Sequence, residues 1–214
     1  GLALSLLCTV TAVAQDTRPG GNTIVGDTGI WFVPTGETLP KGKWSGGVQR
    51  MNQDRSEGFT DLSDIGGMFA FGATNRIELF GTLAYRRLGA DLPPVAVNGQ
   101  PQDYLINKGW STGLADAWFG TKINITSQAQ NNGYATALRL MVKLPAASAD
   151  DGLGTGKPDF QFDLIGSREY AEKVELSAAA GIKFRGSPDG YNLTKGFVWG
   201  IGAAYPSRSK LRAI

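Results

Sequence analysis

Hydrophobic and polar positions alternate with a period of two along most of this chain, and the pattern is sharpest over Asp64–Arg86. Ile65, Gly67, Phe69, Phe71 and Ala73 share one face; Asp64, Gly66, Met68, Ala70, Gly72 and Thr74 share the other. After the tight turn Thr74-Asn75-Arg76, Ile77, Leu79, Gly81, Leu83 and Tyr85 oppose Glu78, Phe80, Thr82, Ala84 and Arg86. Side chains that change face at every residue are the mark of a strand. Each run is about ten residues, the length at which a tilted strand crosses a bilayer core (about 9–11), whereas ordinary strands average about 5–6. A hairpin this long, apolar on one face and small or polar on the other, predicts a membrane-spanning β-barrel.

The same alternation predicts strands over Lys43–Met51, Thr112–Thr126, Tyr134–Leu144, Asp159–Glu169, Val174–Arg185 and Gly196–Tyr205, with a short strand at Thr28–Val33. Their connections alternate in length. Asn52–Ser63, Arg87–Ser111 and Pro145–Pro158 are long and Gly186–Lys195 is moderate; Thr74–Arg76, Ser127–Gly133, Tyr170–Lys173 and Pro206–Lys210 are short. Outer-membrane barrels have short turns on one side and longer loops on the other. Trp31, Tyr85, Tyr134, Phe184, Phe197 and Tyr205 fall near strand ends, where interfacial aromatic girdles are expected.

Opposite the apolar faces the strands carry charge. Glu78, Arg86, Asp116, Lys122, Arg139, Lys143, Asp159, Asp163, Glu175 and Lys183 are therefore the candidate lumen-lining residues. Arg139 and Lys143 lie on the strand that precedes Asp159 and Asp163, close enough for cross-strand ion pairs. The plain reading of such pairs is structural; the functional one is a selectivity filter, because lumen residues tune passage. Asp116 near Lys122 invites the same two readings. Asp159 and Asp163 could be taken for an acid–base carboxylate pair, but nothing implies a substrate cleft, and no catalytic residue is assigned.

Composition narrows the classes. The chain has 214 residues, no His and one Cys, Cys8, which removes most routes to a zinc site, a thiol nucleophile or a His-based triad. The formal charge of +2 gives no basic footprint for nucleic acid. Gly reaches 30 residues, mostly inside strand patterns, where a barrel uses it to relieve crowding and to bend. Gly152-Leu153-Gly154-Thr155-Gly156-Lys157 faintly resembles a phosphate loop, but Pro158 follows the Lys and a strand follows the loop. Asp150 and Asp151 beside glycines are more simply a solvated loop than a calcium site. No metal, cofactor or enzymatic activity is expected.

Residues 1–14 read as part of a secretory signal ending at Ala12-Val13-Ala14, with Leu7 before Cys8 arguing against lipid attachment there. Residues 15–27 read as a mature N-terminal segment, mostly loop, and residues 28–214 as a barrel truncated at its C-terminus, a strand beginning at Leu211. The fold expected is all-β, an antiparallel up-and-down transmembrane barrel with about ten strands visible and about twelve in the complete chain.

Four stretches carry a resemblance: PTGETLPKG at Pro34–Gly42, FGATNRIEL at Phe71–Leu79, GLADAWFGTK at Gly113–Lys122, and KLP with DGLGTGKPDF across Lys143–Phe160. Together they resemble Gram-negative outer-membrane β-barrel proteins, nearest to the transporter-like barrels grouped with the phenol-degradation meta-pathway proteins and to the barrel portion of OmpA-family proteins. The resemblance implies residence in the bacterial outer membrane and passive transport of small molecules, hydrophobic ones included. The alternative is a structural barrel that anchors a downstream peptidoglycan-binding domain. The expected partners are outer-membrane lipid and small-molecule cargo, with a homo-oligomer as a further expectation and peptidoglycan reached through a domain beyond residue 214. A secreted soluble β-sandwich is the third reading; it would have to bury the apolar strand faces against a second sheet.

Overall fold

The computed structural model of the chain describes residues 21–55, 60–90, 96–97, 100–101, 109–188, 192–208 and 213. The expected signal over residues 1–14, the Pro93-Pro94 and Asn98-Gly99 turns and the strand start at Leu211 lie outside the described residues. Two short strands come first, β1 (Gly29–Ile30) and β2 (Val33–Pro34). Then follow β3 (Trp44–Arg55), β4 (Thr60–Gly72) and β5 (Ile77–Ala90). The two-residue pair β6 (Ala96–Val97) and β7 (Gln100–Pro101) stands apart from the main sheet. β8 (Gly109–Leu114) and β9 (Ala117–Thr126) form one line interrupted at Ala115-Asp116, and both pair with β5. β10 (Ala135–Leu144), β11 (Asp159–Tyr170), β12 (Val174–Phe184) and β13 (Gly196–Ala204) complete the chain.

The main sheet has the order β13-β12-β11-β10-β9-β5-β4-β3, with β8 beside β5, and every pairing is antiparallel between neighbours in the chain. It is strongly curled into an open half-barrel. Of the barrel expected over residues 28–214 the structure has the curled antiparallel sheet but not the closure: among the described residues β3 pairs only with β4 and β13 only with β12. Eight or nine strands at this curl span part of a circumference, so the two outer edges do not meet.

Two further expectations change. The stretch Asn52–Ser63 is mostly strand, because β3 and β4 stay in register from Trp44↔Phe71 to Arg55↔Thr60. Apolar periodicity fades there while the backbone ladder continues, and hydropathy cannot see a ladder. Thr28–Val33 is not a wall strand but part of a hairpin, with Trp31 at its tip in the left-handed region at φ 51°. Trp31 therefore belongs to no girdle of the wall.

The burial pattern is inverted relative to an ordinary sheet packed on a core. Leu138, Leu140, Phe162, Leu164, Ile182, Phe197, Trp199 and Ile201 are exposed, the last at 74%. Their alternates Arg139, Asp163, Lys143 and Ser177 are buried. Among the described residues, apolar packing inside forms two small clusters: Leu39, Ala70, Phe80 and Met141, and, further along, Leu88, Ala147 and Leu153. Each needs a residue from outside the sheet, Leu39 from the N-terminal segment or Leu153 from the 145–158 loop.

Candidate functional site: a charged row beneath the N-terminal segment

Register places Glu78 (β5) opposite Lys122 (β9), Lys122 opposite Arg139 (β10), and Arg139 opposite Asp163 (β11). The row therefore reads minus, plus, plus, minus across four strands. Two like charges directly opposite each other are destabilising in a sheet. A fifth charge resolves the conflict: Asp27, from the N-terminal segment, lies 3.7 Å from Lys122 Nζ and 3.2 Å from Arg139 Nη1. Thr23 Oγ1 donates to the same carboxylate. Lys122 Nζ also reaches Glu78 at 3.2 Å and donates to the Thr28 carbonyl at 2.7 Å. Arg139 is fixed on its other side by Asp163, whose Oδ2 accepts from Nε at 2.8 Å, while Gln161 Nε2 donates to Asp163 Oδ1 at 2.9 Å.

Glu78, Lys122 and Asp27 have no solvent exposure. Charges buried this completely persist only when paired and hydrogen-bonded, and Glu78 meets that demand through the backbone of the segment. Its carboxylate accepts from Thr28 N at 2.8 Å, Thr28 Oγ1 at 2.5 Å and Leu39 N at 2.8 Å. One side chain of the wall thus holds the segment at two points eleven residues apart. At Gly26, φ 113°, the segment runs close against the wall, since a Cβ there would lie 2.5 Å from the Gly81 carbonyl oxygen. Only glycine fits both the backbone angle and the space.

Toward the short turns the segment is tied by hydroxyls and amides. Ser167 Oγ accepts from Gly36 N at 2.9 Å, Ser177 Oγ donates to the Pro34 carbonyl at 2.6 Å, and Asn124 Nδ2 donates to the Gly36 carbonyl at 2.6 Å. Glu37 accepts from Ser127 Oγ and from Gln128 N at 2.7 and 2.8 Å. Glu175 is buried at the same end, near the start of β12.

Toward the longer loops a second line of charge crosses the sheet. Lys143 Nζ contacts Asp116 at 2.9 Å and Asp159 at 3.5 Å; Lys183 Nζ reaches the same Asp159 oxygen at 3.4 Å and lies 4.6 Å from the centre of the Trp118 ring. Lys143 also donates to Thr155 Oγ1 at 2.8 Å. Arg86 forms a two-pronged pair with Asp64 at 2.9 and 2.7 Å and donates to the Leu153 carbonyl at 3.0 Å, so the 145–158 loop folds over this end. Between the segment and the wall at this end is a cavity of about 240 Å³, bordered by Val25, Gln49, Met51, Asp64, Arg86 and Trp118.

All ten sequence-predicted residues lie on the face opposite the exposed apolar band. Glu78, Lys122, Arg139 and Asp163 come together, and Asp116, Lys143, Asp159 and Lys183 come together. Arg86 pairs with Asp64 and borders the same cavity as Asp116, and Glu175 lies at the short-turn end of β12. Asp116 pairs with Lys143 rather than forming a unit with Lys122, because Asp116 precedes β9 at the loop end while Lys122 is at mid-strand. Sequence reasoning missed Asn124 and Ser167, although the period of two places both on the inward register, two residues from Lys122 and four from Asp163. It also missed Asp27, for which no periodic signal exists. No protein-family model matches the chain, and no curated protein matches it significantly.

Proposed function

We propose that this chain builds the wall of a bacterial outer-membrane β-barrel that lets small molecules, hydrophobic ones included, cross passively. The observation that carries this reading is the inversion of the sheet. Its outer face is a continuous apolar surface from Trp44 on β3 to Ile201 on β13, far beyond what a water-facing monomer ordinarily exposes, while its charges are turned inward. The strands of 9 to 14 residues in the main wall, apart from the β8–β9 line, are long enough to cross a bilayer core. The resemblance to transporter-like barrels agrees with this reading. In it, the 21–43 segment occupies the interior and the cavity bordered by Val25, Arg86 and Trp118 is the way in.

One observation favours the alternative, a structural barrel that conducts little. At the level of the Glu78–Lys122–Arg139–Asp163 row the charges are sealed by the segment, so passage there requires the segment to move. The test is single-channel conductance of the full-length chain refolded into a planar bilayer, alongside Arg139→Ala. Discrete steps changed by the substitution support transport. Insertion without conductance supports the structural barrel, and failure to insert refutes the membrane reading.

A further inference from the structure

The outward face carries a groove of about 610 Å³ bordered by Tyr134, Gly166, Arg168, Leu176, Ala178 and Ile201. Register explains it. Gly166, Ala178 and Ile201 are direct neighbours across β11, β12 and β13, so the row offers almost no side chain over its first two strands. The next outward row on one side carries Leu164, Ala180 and Trp199, and on the other Arg168, Leu176 and Ala203. The groove therefore runs between bulkier walls, from the short-turn end into the apolar band.

Its polar end is Arg168. The guanidinium is exposed, lies 4.8 Å from the Tyr170 ring centre, and among the described residues has no carboxylate partner. The neighbouring carboxylate, Glu169, points the other way and pairs with Arg208 at 2.9 Å. Tyr134, Tyr170 and Tyr205 are exposed at the same end, the residue type that sits at headgroup level. An unpaired cation at the interface, opening onto an apolar trough, matches a phosphate joined to a hydrocarbon chain.

We infer that this groove binds one anionic glycerophospholipid, its phosphate on Arg168 and an acyl chain laid over Gly166 and Ala178. The inference rests on the membrane reading above. From the Arg168 row to the Leu164 row is about 13 Å at roughly 3.3 Å per residue, a stretch that part of one acyl chain covers.

The test is native mass spectrometry of the full-length chain released from detergent and titrated with phosphatidylglycerol or phosphatidylcholine. Two variants accompany it. Arg168→Gln removes the charge, and Gly166→Leu fills the groove where a Cβ would meet no heavy atom within 4 Å. One phosphatidylglycerol should stay bound, with phosphatidylcholine and both variants each weaker by about tenfold. Equal retention of the two lipids, or full retention in Gly166→Leu, overturns the inference. A dimer that Gly166→Leu dissociates would assign the groove to a second copy and overturns it too. If Gly166→Leu does not fold, Arg168→Gln decides alone. Flotation with vesicles separates the two readings: a chain that does not float refutes the membrane reading and this inference with it, whereas one that floats without lipid preference refutes this inference only.

Discussion

Replacing Glu78 by Ala should release the N-terminal segment while leaving the wall standing. The carboxylate is fully buried, pairs with Lys122 at 3.2 Å, and accepts from two backbone amides and one hydroxyl of the segment. Removing one partner of a buried ion pair costs about 3–5 kcal/mol, chiefly because the other charge is left behind. Here Lys122 keeps the Thr28 carbonyl and a longer approach to Asp27, which offsets part of that cost; the amides of Thr28 and Leu39 lose their acceptor, which adds to it. A net loss of about 4 kcal/mol in docking follows, roughly 1,000-fold in the equilibrium between docked and released segment at about 1.4 kcal/mol per tenfold. The assay is amide hydrogen exchange in vesicles, read at Gly36. Its amide donates to Ser167 Oγ of the wall and does not touch Glu78, so it reports release rather than the lost contact itself. Exchange there should rise by about 1,000-fold while β11 and β12 stay protected. A rise below about tenfold would refute the argument that Glu78 is the clamp, and loss of protection throughout β5 and β9 would show that wall and segment are one cooperative unit.

Phe162→Lys probes what covers the outer face: Phe162 is half exposed at mid-strand, so in water the change should fall within about 0.5 kcal/mol, but against lipid it should cost about 2–4 kcal/mol, read by urea unfolding in vesicles. Gly181→Val tests the close packing at the far end of the row, since a Cβ there would lie 2.1 Å from both Asp163 Oδ1 and the Phe162 carbonyl oxygen; that clash with side chain and backbone together should cost more than about 2 kcal/mol in the same assay. Lys143→Gln removes the cation between Asp116 and Asp159 and leaves a surplus of carboxylate at the loop end. In a conducting barrel it should shift reversal potentials toward cations, and an unchanged potential would remove this line from the filter.

The faces of the strands were legible in the sequence because a two-residue period is a property of the chain alone. It put Leu138, Leu140, Phe162 and Leu164 on one side and Arg139, Lys143, Asp159 and Asp163 on the other, and the structure has them so. The pairing of Arg139 with Asp163 and Lys143 with Asp159 was within reach for a related reason, as the register of adjacent antiparallel strands is limited by their connection. Strand ends were less legible. β3 and β4 continue through polar residues to Arg55 and Thr60 because backbone hydrogen bonds, not hydropathy, set where a ladder stops.

The sequence by itself determined an all-antiparallel sheet with its apolar side chains on one face and its charges on the other. Tertiary structure alone decided that Lys122 and Arg139 stand opposite each other, that Asp27 from a Gly-rich stretch without periodicity lies between them, and that the sheet stays open at β3 and β13. The reason is range. Alternation is fixed by neighbours two residues apart, whereas the neutralisation of a buried cation pair depends on a carboxylate about a hundred residues away in the chain, brought there only when the wall has curled around the segment.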